Sequence, residues 1–303
     1  MPSPTGRLAL YLGLRSFLGI GGRLPKRLNR AFGPVLSAAA LRLLPRTRNR
    51  ICAHIEIAFP ELDQTQRDKI VRGCSRHFGL MLAEVAWLWH ARSEDVEDLC
   101  QIEGQQHVMD ALADGRGAMF ATAHCGNWEL LSARLPIAGV PLISAVRQLD
   151  NRRLDRVITS MRTRFGTEIV PRGPSAGRRL ARALTRNSVN ALLIDQDIKN
   201  IPGVFVPFFG RPAFTPSGAA TLALRMRSPM LPGFIHRRPD GTHVAEIHPP
   251  LPVPTDGTLE DKVEELTAAA TAVIERQIRA HPEQWVWMHR RWRTRPESQA
   301  ADH

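Results

Sequence analysis

The sequence predicts an α/β fold: a mainly parallel central sheet covered by helices, with an N-terminal basic amphipathic helical region. Three observations lead there. Short apolar runs at 117–123, 141–146, 190–194, 230–236 and 243–247 are bounded by turn-forming residues, and helical periodicity separates several of them. At 303 residues and 43% hydrophobic content the chain is long enough to bury a substantial core. The first 55 residues hold ten Lys/Arg and no acid, and the first carboxylate is Glu56.

In that first stretch Leu8, Leu10, Tyr11, Leu12, Leu14, Phe17, Leu18 and Ile20 alternate with Arg7, Arg15 and Arg23. Such a pattern suits a helix lying on anionic lipid, where each Lys or Arg contributes about 1 kcal/mol of attraction. It equally suits a basic helix packed on the domain. A spanning helix needs roughly 20 predominantly apolar residues, and Arg15, Gly19 to Gly22, Pro25, Pro34 and Arg42 interrupt any such run. Nor does a small-residue cleavage site follow a clean apolar core, as a signal peptide requires.

Thr65, with Asp68 three residues on, is the expected start of the next helix, whose Ile70, Val71, Cys74, Phe78, Met81, Leu82 and Val85 recur at helical spacing toward Trp87 and Trp89. The run 117–123 reads as a buried strand ending at His124, with a helix starting near Asn127. Thr258 caps a last long helix with Leu259, Val263, Leu266, Val273, Ile274 and Ile278 on one face. The expected division is 1–50 as basic interface region, 51–295 as catalytic domain and 296–303 as disordered tail.

Cys52, Cys74, Cys100 and Cys125 form no C-x-x-C pair, so neither a zinc site nor a disulfide framework is indicated, and a reducing compartment fits. The net charge of +12 also suits a nucleic-acid-binding protein. A single Tyr and the lack of a nucleic-acid-binding module argue against that class.

The chemistry centres on the segment Ala123-His124-Cys125-Gly126-Asn127-Trp128-Glu129. It falls where a strand meets a helix, the place where open α/β sheets bind ligands. Histidine accepts a proton near neutral pH, and an acid on its second nitrogen fixes the tautomer. At about 100° per residue, His124 and Glu129 diverge on one regular helix, so the histidine belongs on the preceding turn, which Gly126 permits. By spacing alone, a hydrogen-bonded structural histidine fits too. Cys125 offers a rival reading as an activated nucleophile.

This segment resembles the H-x4-D/E motif of the lysophospholipid acyltransferase superfamily and, within it, the late acyltransferases of bacterial lipid A biosynthesis. Further matches run in order along the chain: Ala58-Phe59-Pro60-Glu61-Leu62, Asp195-Gln196-Asp197, Val204-Phe205-Val206-Pro207-Phe208-Phe209-Gly210, Pro282-Glu283-Gln284-Trp285, and Trp287 to Trp292. His54 and Cys125 depart from the usual residues.

The resemblance implies His124 as general base, Glu129 as its orienting acid, and direct attack of an acceptor hydroxyl on an acyl thioester, without a covalent intermediate. It implies a co-substrate, acyl-carrier protein thioester or acyl-CoA, in place of a bound cofactor or metal. The expected acceptor is a lipid A-type saccharolipid, with another glycolipid such as a phosphatidylinositol mannoside as the alternative. The expected location is peripheral or monotopic, on the cytoplasmic face of the bacterial inner membrane.

Asn127, Arg147, Arg164, Asp195, Gln196 and Asp197 are the expected substrate-binding residues. Twelve arginines lie from Arg134 to Arg186, and their planar forks suit phosphate or carboxylate. Solvated faces account for the remainder. Asp195 and Asp197 are expected to pair with these arginines rather than a metal, and a simple turn is the alternative. Trp285, Trp287 and Trp292 fit either an interfacial belt or a core. A hydrolase using water, or a noncatalytic lipid-binding protein, shares much of this pattern.

Overall fold

The computed structural model describes residues 4–24 and 26–296; the expected disordered tail beyond Pro296 lies outside them. Helix α1 (Pro4–Ser16) runs into a π-helical turn (Phe17–Gly21), followed by α2 (Lys26–Leu43) and α3 (Pro45–Ala58). Residue 50, the expected domain boundary, falls inside α3. Next come α4 (Gln64–Leu88), α5 (Ser93–Leu99), β1 (Cys100–Glu103), α6 (Gln105–Ala113), β2 (Ala118–Thr122) and α7 (Trp128–Ile137). The chain continues through β3 (Leu142–Val146), α8 (Arg152–Thr163), β4 (Glu168–Pro171), α9 (Ala176–Leu184) and β5 (Val189–Leu193). A hairpin of β6 (Gly203–Phe208) and β7 (Arg211–Pro216), then α10 (Gly218–Met226), β8 (Met230–Arg237), β9 (His243–Ile247) and α11 (Leu259–Ala280), complete it.

The seven-stranded sheet has the order β1-β9-β8-β2-β5-β3-β4. Strands β8, β2, β5, β3 and β4 are mutually parallel, whereas β9 is antiparallel to β8 and parallel to β1. The expected mainly parallel α/β architecture is therefore present. Sequence patterning missed β1, β4 and the hairpin. Strand β4 is a four-residue edge strand ending in Pro171, a residue confined to such edges because it cannot donate to a ladder.

Helix α4 starts earlier than Thr65 because Asp63 competes as the cap. Its carboxylate accepts from the Gln66 N–H at 2.8 Å, and the Gln66 side chain accepts from the Asp63 N–H at 2.9 Å. Thr258 does cap α11, and Val263, Leu266, Val273, Ile274 and Ile278 are buried, while Leu259 is exposed. Helix α2 crosses α4 with Gly33 against Gly79. A Cβ on either would come within 2.4 Å of the other's carbonyl oxygen, so this close approach requires glycine at both positions.

Beneath the sheet's centre, α4 carries a buried polar knot that fixes the start of α7. Glu84 pairs with Arg237 at the end of β8, at 2.8 Å for one of its contacts, and with His243 Nε2 on β9 at 3.2 Å. Its Oε2 also accepts the Asn127 side-chain amide at 2.9 Å. Two turns earlier on α4, His77 Nε2 donates to the Gly126 carbonyl at 3.2 Å. Burial lowers the His77 imidazole to about 4, so it is neutral. Burial by itself raises the Glu84 carboxyl, but the His243 and Arg237 hydrogen bonds and charges outweigh it and hold it at about 2.

The stabilisation from ionised Glu84 is complete above its ordinary value of 4.5 and is lost as pH falls toward 2. Glu84→Gln leaves Arg237 without its buried counter-charge and is expected to cost about 3–5 kcal/mol at pH 7. The variant should also lose less stability than wild type between pH 4.5 and pH 2. Denaturant unfolding at pH 7, 4.5 and 3 checks both; parallel curves for the two proteins contradict this reading of Glu84.

Candidate active site

Strand β2 delivers His124 to the carboxyl edge of the sheet, and the chain then turns sharply through Gly126 at φ +56°. A Cβ there would lie 1.9 Å from the Ile235 carbonyl oxygen on β8, so the turn is available to glycine alone. Asn127 caps α7 by accepting from the Leu130 N–H at 3.1 Å. The Gly126 N–H donates to the Gln284 carbonyl at 2.8 Å, and Cys125 bridges to Trp285. The loop is thus held from both sides, by α4 and by the segment after α11.

The acid on His124 is Asp195. In the β2/β5 ladder Thr122 is opposite Leu193, so residues two beyond each, His124 and Asp195, meet across the edge. Asp195 Oδ1 accepts from His124 Nδ1 at 2.8 Å, and Oδ2 accepts from the His124 backbone N–H at 3.0 Å and from Trp285 Nε1 at 2.8 Å. This carboxyl group is 2% exposed. Burial pushes it up, but the His124 charge and the His124 and Trp285 hydrogen bonds prevail and hold it at about 2.

Glu129, the expected orienting acid, has a different partner here. No hydrogen bond joins Glu129 to His124; Glu129 is instead paired with Arg162 on α8, with Nε–Oε2 at 2.8 Å and a second contact through the other nitrogen. Burial alone would lower the Arg162 guanidinium, but the Glu129 bond and charge raise it above its ordinary value.

His124, Glu129 and Arg162 all line a cavity of about 720 Å³ between the sheet and helices α7 and α8. Its depth is apolar, with Phe120, Leu135, Leu142 and Ala191, and its rim carries Arg147, Arg172, Lys199 and Arg293. The Gln196 amide nitrogen lies 3.0 and 3.2 Å from the two His124 ring nitrogens. Trp128 packs edge-on to that ring with centroids 4.9 Å apart, and the His289 ring lies 5.5 Å away.

Of the expected substrate-binding residues, Arg147, Gln196 and Asp197 line the cavity. Asp197 is held by Arg293 at 2.8 Å and by the Thr294 N–H at 2.6 Å; Arg293 lies outside the arginine segment 134–186 that was expected to supply its partner. Asp195 takes His124 instead of an arginine. Asn127 is 1% exposed and serves as helix cap and Glu84 partner. Arg164 lies outside the cavity lining, because its guanidinium donates to the Leu88 and Trp89 carbonyls at 3.0 and 2.6 Å and so secures the end of α4. Cys125 is 4% exposed, and burial followed by the Asp195 charge pushes its thiol well above the ordinary value, which leaves it protonated and without nucleophilic character.

Sequence reasoning missed Arg162, Trp285 and the Glu84 knot as parts of the site. Arg162 stood among twelve arginines with nothing in the pattern to single it out, and Trp285 was weighed as belt or core; Trp285 and Trp287 are core. Among the described residues, no group of three or more His, Cys, Asp or Glu side chains is placed to hold a metal ion.

The sequence also matches known proteins along nearly its full length. It is 32% identical over 291 residues to the lipid A biosynthesis lauroyltransferase of Escherichia coli K12, covering 93% of this chain and 92% of that protein. It is 26% identical to the lipid A biosynthesis palmitoleoyltransferase of the same organism, covering 89% and 86%. A phosphatidylinositol mannoside acyltransferase of Mycolicibacterium smegmatis is 28% identical over 67% of this chain and 64% of its own. The family profile described as bacterial lipid A biosynthesis acyltransferase matches residues 5–294, and the chain belongs to that family.

Proposed function

We propose that this protein transfers a fatty acyl group from a carrier-bound thioester to a hydroxyl of a lipid A-type saccharolipid. One observation carries the reading: an acid-backed histidine stands at the mouth of a cavity that is apolar in its depth and basic at its rim. The apolar depth suits an acyl chain, and the basic rim suits a phosphorylated or acidic substrate. The saccharolipid acceptor is favoured over a phosphatidylinositol mannoside because the match to the lauroyltransferase spans both chains nearly end to end. An acidic acyl-carrier protein is the donor that best complements the rim.

In this mechanism His124 donates its Nδ1–H to Asp195 and turns Nε2 toward the cavity. The acceptor O–H gives its proton to Nε2 as its oxygen attacks the thioester carbonyl carbon. The tetrahedral intermediate then collapses, the C–S bond breaks, and the departing thiolate takes the proton back from His124. Asp195 stays ionised throughout and stabilises the transient imidazolium. Glu129 positions Arg162 in the cavity lining, where its guanidinium stabilises the oxyanion in this reading.

We place the protein peripherally on the cytoplasmic face of the inner membrane. Among the described residues no helix is long and apolar enough to cross a membrane. Val35 and Leu36 on α2 are 64% and 66% exposed, and Leu10, Ile20, Phe32 and Leu43 are exposed nearby in sequence. With the basic residues around them, these side chains form an apolar and cationic surface suited to anionic lipid.

His124→Ala is expected to abolish acyl transfer by several orders of magnitude with folding intact. Asp195→Asn should lower kcat by about 10³–10⁴-fold through loss of the correct tautomer, as in hydrolase triads. Glu129→Gln should cost less, and Cys125→Ala should stay largely active. Steady-state kinetics on the four variants checks the assignment: a larger loss at Glu129 than at Asp195 would return the orienting role to Glu129. An acyl-cysteine trapped on Cys125 would overturn direct attack. Separately, Val35→Asp with Leu36→Asp should weaken sedimentation with phosphatidylglycerol vesicles and leave the circular dichroism unchanged. Undiminished vesicle binding would remove α2 from the membrane surface.

A further inference from the structure

The parallel strands β3 and β4 pair with Val146 opposite Pro171, and the Arg172 N–H donates to the Val146 carbonyl at 2.8 Å. The next residue after each strand is an arginine. Arg147 and Arg172 therefore stand side by side at the carboxyl edge, and both line the cavity. Of the other ten arginines from Arg134 to Arg186, four hold a carbonyl or a carboxylate: Arg134 bonds the Cys100 carbonyl, Arg162 holds Glu129, Arg164 holds two carbonyls and Arg186 pairs with Glu168.

Among the described residues, the side chains of Arg147 and Arg172 make no hydrogen bond and no ion pair. Burial and then the Arg147 charge lower the Arg172 guanidinium, as two close like charges require. Asp155 also lines the cavity, but its carboxylate accepts from the Leu149 N–H at 2.9 Å and its charge acts on Arg162. Two adjacent planar forks with no carboxylate between them make a site for an anion supplied from outside.

The sheet order sets how far that anion lies from the chemistry. His124 follows β2, and β3 and β4 are the second and third strands along from it. At about 4.8 Å between strands, the backbones of Arg147 and Arg172 stand roughly 10 and 14 Å from that of His124. An oxyanion formed at the bond His124 attacks is held by donors about 3 Å away, the place given above to Arg162. The anion belongs to a part of a substrate remote from the reacting carbonyl, where binding energy orients the reacting end.

We propose that Arg147 and Arg172 form a clamp for a phosphate ester of a substrate, at strand ends two and three strands along from His124. The inference rests on the acyl-transfer reading for the identity of that substrate. Two sources carry the same chemistry: the phosphodiester of the donor's pantetheine arm and a phosphate on the glycolipid acceptor.

The test uses the full-length protein with Arg147→Gln, Arg172→Gln and the double variant, and Arg178→Gln with Arg179→Gln on the exposed face of α9 as control. With acyl-carrier protein as donor and a phosphorylated acceptor, each clamp variant should raise one substrate's KM about tenfold while kcat stays within about twofold. The control should match wild type. If the clamp holds the donor arm, the loss disappears when the donor is an acyl thioester of N-acetylcysteamine, which has no phosphate. If it holds the acceptor, the loss disappears with the dephosphorylated lipid.

A loss that persists with both phosphate-free substrates, or a fall in kcat at unchanged KM, overturns the clamp. Calorimetry with phosphopantetheine and with pyrophosphate reads the clamp without turnover: binding to wild type that the double variant loses supports it, and equal binding overturns it. Absence of transfer by wild type with every donor would sink the function proposed above, and the calorimetry would still decide the clamp.

Discussion

The buried carboxylate of Asp195 is the constraint on which the site depends. An ionised carboxylate removed from water is costly unless its lone pairs are filled. Here they are filled by the His124 ring, the His124 backbone and the Trp285 indole. Those three donors come from the end of β2 and from the segment after α11, so satisfying one carboxylate brings two distant parts of the chain to β5. Orientation of the base and closure of the fold are a single requirement.

The packing around that carboxylate explains why motifs far apart in sequence occur together. Phe59 packs against Phe209 and Trp287, with centroids 5.5 and 5.9 Å apart. Phe208 contacts Phe209 and Trp285, and Trp285 lies edge-on to Trp287 at 4.6 Å. Arg291, fully buried, crosses from the C-terminal segment to the β6/β7 hairpin, donating to the Phe214 carbonyl and the Thr215 hydroxyl, each at 2.6 Å. Three stretches, around residues 59, 208 and 286, form one aromatic layer under the Asp195–Trp285 bond. Their aromatic character answers to packing; their effect on chemistry runs through the carboxylate they enclose.

Two carboxylates near one histidine take different tasks because their surroundings differ. Asp195 meets the imidazole in a dry pocket, whereas Glu129, in the first turn of α7, is bound by the guanidinium of α8. The Glu129–Arg162 pair ties α7 to α8 across the cavity and keeps a fork of N–H groups at its wall. On the opposite side, the Glu84 knot holds the cap of α7 against the sheet. The loop carrying His124 is thereby fixed at its turn, its cap and its ring, as the base role proposed for it requires.

Five of the seven sheet strands, the last long helix and the loop histidine were legible in the linear pattern. Apolar runs bounded by turn residues marked β2, β3, β5, β8 and β9, since a strand buried on both faces leaves a nearly continuous apolar signature. Thr258 marked the start of α11, and Gly126 marked the turn that lifts His124 off the helix. The four-residue edge strands β1 and β4 left no such signature because they are short and partly exposed, and the hairpin strands left none because they are only partly buried. Which acid serves His124 was beyond any linear pattern. Glu129 is five residues away in sequence and Asp195 is 71, yet the parallel register of β2 with β5 sets Asp195 directly across. The same holds for Arg147 and Arg172, separated by a helix and made neighbours by β3 and β4. Adjacency of strand ends is a property of sheet order, and sheet order is decided by how the helices cover the two faces, so only the tertiary structure could select those partners.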